Sequence, residues 1–132
     1  MPAFNFQEKF AQLVADGRKL CTIRRSPVEP GKPAYLFSGM RTKFCRRLNT
    51  GTVIHCVNIQ LGRKQDGIPC CMMRGKKMLQ AELAELAQQD GFSNANEMVD
   101  WFSAVYKQDE RNKDGGLDIF SGYLITWELN PS

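Results

Sequence analysis

A chain of 132 residues fits one domain better than two. A domain near this size buries roughly two-thirds of its unfolded surface without support from metals or disulfides. Its 42% hydrophobic and 24% charged content excludes a disordered chain, and its apolar runs fall far short of the ~20 residues of a membrane-spanning helix. The net charge of +4 conceals a division, since residues 17–47 carry nine Lys and Arg against Glu29 alone. Residues 48–78 carry five basic residues against Asp66, and residues 79–132 carry three against ten acidic ones. Such asymmetry points to an anionic partner, nucleic acid foremost. The plainer reading is a solvated basic face balanced by acidic helices elsewhere.

Phe6, Phe10, Leu13 and Val14 follow the spacing of one apolar helix face, and Asp16-Gly17 marks its end. Residues 20–24 read as a short strand, Pro30-Gly31 as a turn, and residues 34–37 as a second apolar run. Val53, Val57, Ile59 and Leu61 share one strand parity, which predicts a half-buried strand. His55 has the same parity, so it is expected as a packed, hydrogen-bonded core histidine. Asp66-Gly67 signals a hairpin, with residues 68–73 returning as the partner strand. Leu79, Leu83, Leu86 and Ala87 restore helical spacing up to Asp90-Gly91. Asn94, with Glu97 three residues on, caps a further helix whose apolar face is Met98, Trp101, Phe102, Val105 and Tyr106. Residues 107–116 read as a solvated loop. The last strand alternates Tyr123, Ile125, Trp127 and Leu129 with Leu124, Thr126 and Glu128.

Cys21, Cys45, Cys56, Cys70 and Cys71 make an odd count without a C-x-x-C pair, so reduced thiols are expected. His55 is the sole histidine and the cysteine spacing matches no zinc pattern, so neither a metal nor a cofactor is expected. Met1-Pro2-Ala3-Phe4 lacks the basic segment and apolar run of a secretory leader, which predicts a cytoplasmic protein with no membrane partner.

The most informative stretch is Gly17-Arg18-Lys19-Leu20-Cys21-Thr22-Ile23-Arg24-Arg25, where a helix gives way to a strand and polar groups gather at the junction. It resembles the first signature of the ASCH family, relatives of the PUA domains, in which a helix ends at Gly-x-Lys and continues into Thr-x-Arg. Pro30-Gly31 before Tyr35, the run Leu86-Ala87-Gln88-Gln89-Asp90-Gly91-Phe92, Trp101-Phe102 and Tyr123-Leu124-Ile125-Thr126-Trp127 follow in the family order. The resemblance implies an α+β fold: residues 1–132 as a single domain, a small PUA-like β-barrel with flanking α-helices and a cleft beside the first helix. It implies binding of RNA or a modified nucleotide there. One branch resembles amidohydrolases that remove an acyl group from the exocyclic amine of cytidine. That branch's lysine, threonine and glutamate fall on Lys19, Thr22 and Asp90, the last shorter by one methylene.

The chemistry stands on its own. A threonine hydroxyl attacks only when a base accepts its proton, and a desolvated lysine can serve. Nearby cations such as Arg18, Arg24 and Arg25 favour the neutral amine, and a carboxylate at Asp90 could pass a proton to a leaving amine. Residues three apart on a straight strand face opposite sides, so Lys19 and Thr22 converge only if the chain bends near Leu20 or Cys21. A second constellation, Arg41, Lys43, Arg46 and Arg47 with Phe44 between, could track phosphates together with Arg24 and Arg25. Phe44 itself is expected in the core, and Tyr35, opening a strand after a turn, is expected to line the cleft. The ordinary alternatives are a solvated lysine, a β-branched strand residue and a last-turn aspartate. The leading expectation is RNA or nucleotide binding, with single-stranded DNA as a variant partner. Amidohydrolase activity comes next. A ribonuclease ranks third, because no histidine pair is present for acid–base catalysis.

Overall fold

The computed structural model describes residues 3–64, 66–106, 113–114 and 117–130. Among these, the elements in chain order are β1 (Ala3–Phe6), α1 (Glu8–Ala15), β2 (Cys21–Arg24), β3 (Pro33–Ser38) and β4 (Arg46–Arg63). There follow β5 (Pro69–Met73), β6 (Lys76–Lys77), α2 (Gln80–Gln89), α3 (Ala95–Tyr106), β7 (Lys113–Asp114) and β8 (Leu117–Leu129). The fold is mixed α+β, with helices flanking one branched sheet. No helix among the described residues is long and apolar enough to cross a membrane.

β4 organises the sheet. One of its edges pairs antiparallel with β8 along residues 51–62, while the other pairs first with β3 and then with β5. β1 joins β3 in parallel, and β2 joins β8 antiparallel. The path β1-β3-β4-β8-β2 does not close through backbone hydrogen bonds, so β1 and β2 end it as unpaired neighbours across a seam. Two register shifts on β4, one against Leu36/Phe37 of β3 and one between Val53 and His55, add a residue each and bend the strand.

The second shift corrects the expectation for His55. Trp127 faces Val53 and Thr126 faces His55, so Ile54 is the extra residue and the parity changes there. His55 turns to the face opposite Val53 and is exposed there, although Ile59 and Leu61 further along that face are buried, and Cys56, opposite buried Ile125, packs against the core. A period of two extrapolated across a bulge gives the wrong face.

β1 was not legible. Phe6 ends this strand rather than starting α1, and its alternation over four residues (Phe4 and Phe6 buried, Ala3 and Asn5 exposed) is too short a signal to outweigh the Phe6–Phe10 helical spacing. The remaining elements follow the sequence expectations more closely. α2 ends at Asp90 with Gly91 at φ +96°, and the Glu97 N–H donates to Asn94 Oδ1 at 2.9 Å, as the capping spacing predicts. The expected loop over residues 107–116 lies outside the described residues except at 113–114, which pair with β8 as β7. All five cysteines are free thiols.

One apolar core joins the layers. Trp127 stacks on Phe4 (centroids 6.3 Å) and meets Phe6 edge-on, while Phe10, Phe92, Trp101 and Phe102 form a second aromatic group under α3. β2 reaches the sheet only because position 122 lacks a side chain: a Cβ there would lie 2.5 Å from the Arg24 carbonyl oxygen and 2.8 Å from the Phe120 ring. Gly122→Ala is therefore expected to destabilise the protein by about 2–3 kcal/mol. Urea denaturation should show a lower midpoint with an unchanged slope.

Candidate functional site

The seam between β1 and β2 carries the polar cluster. α1 terminates at Asp16, Gly17 adopts φ +76°, and the N–H groups of Arg18 and Lys19 both donate to the Leu13 carbonyl at 3.0 Å. This left-handed cap turns the chain out of α1 ahead of Lys19, and Lys19 and Thr22 then line one cavity. Lys19, 3% exposed, turns its ammonium onto residue 90, donating to the Asp90 carbonyl oxygen at 2.8 Å and, more closely still, to Asp90 Oδ1. Asp90 sits at the carbonyl end of α2, where the helix dipole favours a cation. The Phe6 and Phe10 rings stand 5.8 and 5.3 Å from the ammonium.

Thr22, 5% exposed, accepts a hydrogen bond at Oγ1 from Arg24 Nε at 3.0 Å, which leaves its own hydroxyl proton for another acceptor. Arg24 Nη2 donates to the Asn5 carbonyl at 2.9 Å, and the guanidinium lies 5.6 and 5.1 Å from the Phe4 and Phe6 rings. One side chain thus bridges the two strand edges that no backbone bond joins.

Lys19, Thr22, Arg24 and Asp90 line one cavity of about 240 Å³, walled also by Asn5 and Phe6 of β1 and by Phe92, Trp101 and Phe102. That volume lies just below the ~300 Å³ at which drug-sized ligand sites begin, so it suits a planar base or a small nucleoside. An aromatic wall facing a cluster of charged donors and acceptors is the combination that such a ring with polar edges requires.

Burial raises the proton affinity of the Asp90 carboxyl, and the Lys19 charge and hydrogen bond work against that rise. Burial also pushes the Cys21 thiol up to about 12, with Asp90 adding to the effect and Lys19 opposing it. Cys21 is therefore a thiol at neutral pH and no nucleophile.

The other sequence candidates divide. Arg46 donates to Ser38 Oγ and to Glu8 Oε2 (3.2 and 3.3 Å) and lines a groove beside the cavity. Arg41, Lys43 and Arg47 are exposed, Arg41 with φ +66°. Phe44, expected in the core, is 74% exposed. Tyr35 lines neither hollow: on β3 its parity is opposite to that of buried Ala34, Leu36 and Ser38. Arg18 pairs with Asp16 at 2.9 Å, and Arg25 donates to the Ser121 carbonyl while its guanidinium stacks on Phe120 (4.9 Å), so neither lines the cavity. Sequence reading missed Asn5, Phe6 and Phe10 as cavity residues, because the strand that brings Asn5 and Phe6 there gave too short a pattern.

Among the described residues, no group of three or more His, Cys, Asp and Glu side chains could hold a metal ion. Comparisons with protein-family models, curated proteins and solved structures found no match for the chain.

Removing one partner of the buried pair leaves an uncompensated charge. Lys19→Met or Asp90→Leu is expected to cost about 3–5 kcal/mol, and the double substitution distinctly less than their sum. A double-mutant cycle by urea denaturation measures this. The raised Asp90 carboxyl also sets a pH dependence. Where a folded group holds its proton more tightly than the unfolded chain does, the stability it contributes is full below the ordinary value of 3.8 and is lost as pH rises through the raised value. Asp90→Asn should flatten this part of the stability–pH curve.

Proposed function

We propose that the chain is an ASCH-type domain, its sheet a PUA-like barrel left open along the β1–β2 seam, that binds a nucleotide base in the cavity there. The observation that carries this reading is the meeting of Lys19, Thr22, Arg24 and Asp90 on the wall of one small hollow whose remaining sides are largely aromatic. The aromatic rings supply stacking surface, and the charged groups supply donors and acceptors for the edges of a base. Exposed Arg41, Lys43 and Arg47 add an anion-attracting surface of the kind that RNA or a nucleotide would use. A cytoplasmic setting, where such ligands are abundant, fits the free thiols.

Equilibrium titration with cytidine 5′-monophosphate at low salt is expected to show saturable binding. Thr22→Val, which removes a single hydroxyl from the wall, should weaken it about tenfold. No binding of any nucleoside monophosphate by the wild-type protein would exclude the reading.

A second reading, an amidohydrolase acting on acylated cytidine, is favoured by the Lys19–Asp90 contact. In that reading Lys19, held by Asp90 on the cavity wall that also carries Thr22, serves as the base. Its amine would accept the Thr22 hydroxyl proton as the oxygen adds to the acyl carbon. Return of a proton to the exocyclic nitrogen releases cytidine, and water then frees the acyl group from Thr22 as the acid. Incubation with N4-acylated cytidine should yield cytidine in the wild type and none with Lys19→Ala or Thr22→Val. If the wild type releases none, base binding without chemistry remains.

A further inference from the structure

The groove beside the cavity is about 760 Å³ and is separated from it by Asn5, Phe6 and Gln7, which line both. Its far wall is the turn between β3 and β4, carrying Gly39, Thr42 and Phe44, together with Arg46 at the start of β4. This turn is tightly held. Gly39 has φ +67°, and a Cβ on it would lie 2.8 Å from the Phe44 carbonyl oxygen. Thr42 Oγ1 donates to the Gly39 carbonyl at 2.7 Å and accepts from the Phe44 N–H at 3.1 Å. The Cys45 N–H returns to the Thr42 carbonyl at 3.3 Å. Arg41 adopts the left-handed φ of +66°, uncommon for a residue with a side chain. The backbone therefore fixes an exposed phenylalanine ring at the groove wall, with the Lys43 ammonium 5.3 Å from its centre.

An aromatic ring held in solvent by a strained turn, among cations, has a recognised use in stacking an unpaired base. The turn and the start of β4 carry Arg41, Lys43, Arg46 and Arg47 without an acidic residue, so a phosphate backbone is the complementary partner. The floor carries acceptors as well as donors: Glu8, whose carboxylate takes hydrogen bonds from Ser38 and Arg46, and the Gln7 amide. Acceptors beside a phosphate track suit a ribose 2′-hydroxyl, which donates where deoxyribose cannot.

We infer that the groove receives the nucleotide adjoining the one in the cavity, so that the protein binds single-stranded RNA with Phe44 as its stacking platform. The inference rests on the base-binding reading of the cavity and extends it from a monomer to a strand.

Fluorescence anisotropy with a labelled RNA of about eight mixed-sequence nucleotides tests it, alongside calorimetric titration with cytidine 5′-monophosphate. The RNA is expected to bind more tightly than the monophosphate. Phe44→Ala should weaken RNA binding roughly 5- to 150-fold, in line with the loss of one stacked base, without changing the monophosphate affinity or the melting temperature. Phe44→Trp should restore binding. Equal RNA affinity of Phe44→Ala and wild type overturns the groove while leaving the cavity reading intact if the monophosphate still binds. Phe44-dependent RNA binding with a silent monophosphate upholds Phe44 as a stacking platform but overturns the cavity reading and, with it, the placing of the groove nucleotide next to one in the cavity. Equal affinity for DNA of the same sequence overturns the assignment to RNA, and failure of every nucleic acid to bind overturns both readings.

Discussion

The buried contact between Lys19 and Asp90 is the constraint around which the site is built. Taking an ammonium and a carboxylate out of water costs several kcal/mol for each ion, and their attraction offsets this only with good additional partners. Here those partners are the carbonyl end of α2 and the faces of Phe6 and Phe10. The pair links the α1–β2 junction to the α2–α3 junction, 71 residues apart in sequence. Loss of register in either segment would strand a charge in the core. Apolar residues of similar volume commonly serve stability as well or better, so a buried pair on a cavity wall invites a chemical explanation.

The hollow itself follows from sheet topology. β1 is a parallel partner of β3, β2 an antiparallel partner of β8, and nothing in the backbone ladder joins β1 to β2. An unpaired pair of strand edges exposes polar backbone groups that burial would penalise. Arg24 satisfies the Asn5 carbonyl across this gap and at the same time fixes the Thr22 hydroxyl. The seam thus stays open enough for a cavity without leaving that carbonyl unpartnered, and α3 roofs it with Trp101 and Phe102.

How much of this was legible depends on the range of each signal. The helices after residue 79 and the last strand showed long, unbroken periodicity, and Asn94 with Glu97 marked a cap that forms as expected. The polar residues Lys19, Thr22 and Asp90 are legible through their motif context, and the structure gathers them on the wall of one cavity. What failed did so locally. The parity of Val53 does not reach His55 because the bulge at Ile54 has no marker residue, β1 is too short to outvote a helical spacing, and Tyr35 falls on the outer parity of β3. The general habit of phenylalanine points Phe44 to the core, and a glycine-anchored turn overrides it.

The same distinction separates two populations within the basic half of the chain. Lys19 and Arg24 are buried or half-buried with short, directed hydrogen bonds, so their interactions are screened little by salt and act by geometry. Arg41, Lys43 and Arg47 are exposed and act through the field they create, which fades beyond a Debye length of about 8 Å at physiological ionic strength. Arg46 stands between the two, since Glu8 and Ser38 hold it against the groove while much of its side chain remains in solvent. A linear count of charge adds these residues together, yet only the exposed set can attract an anion from a distance. In the proposed binding, the buried set decides what is held once it arrives. Under that proposal, selectivity resides where the charge is least visible from solution.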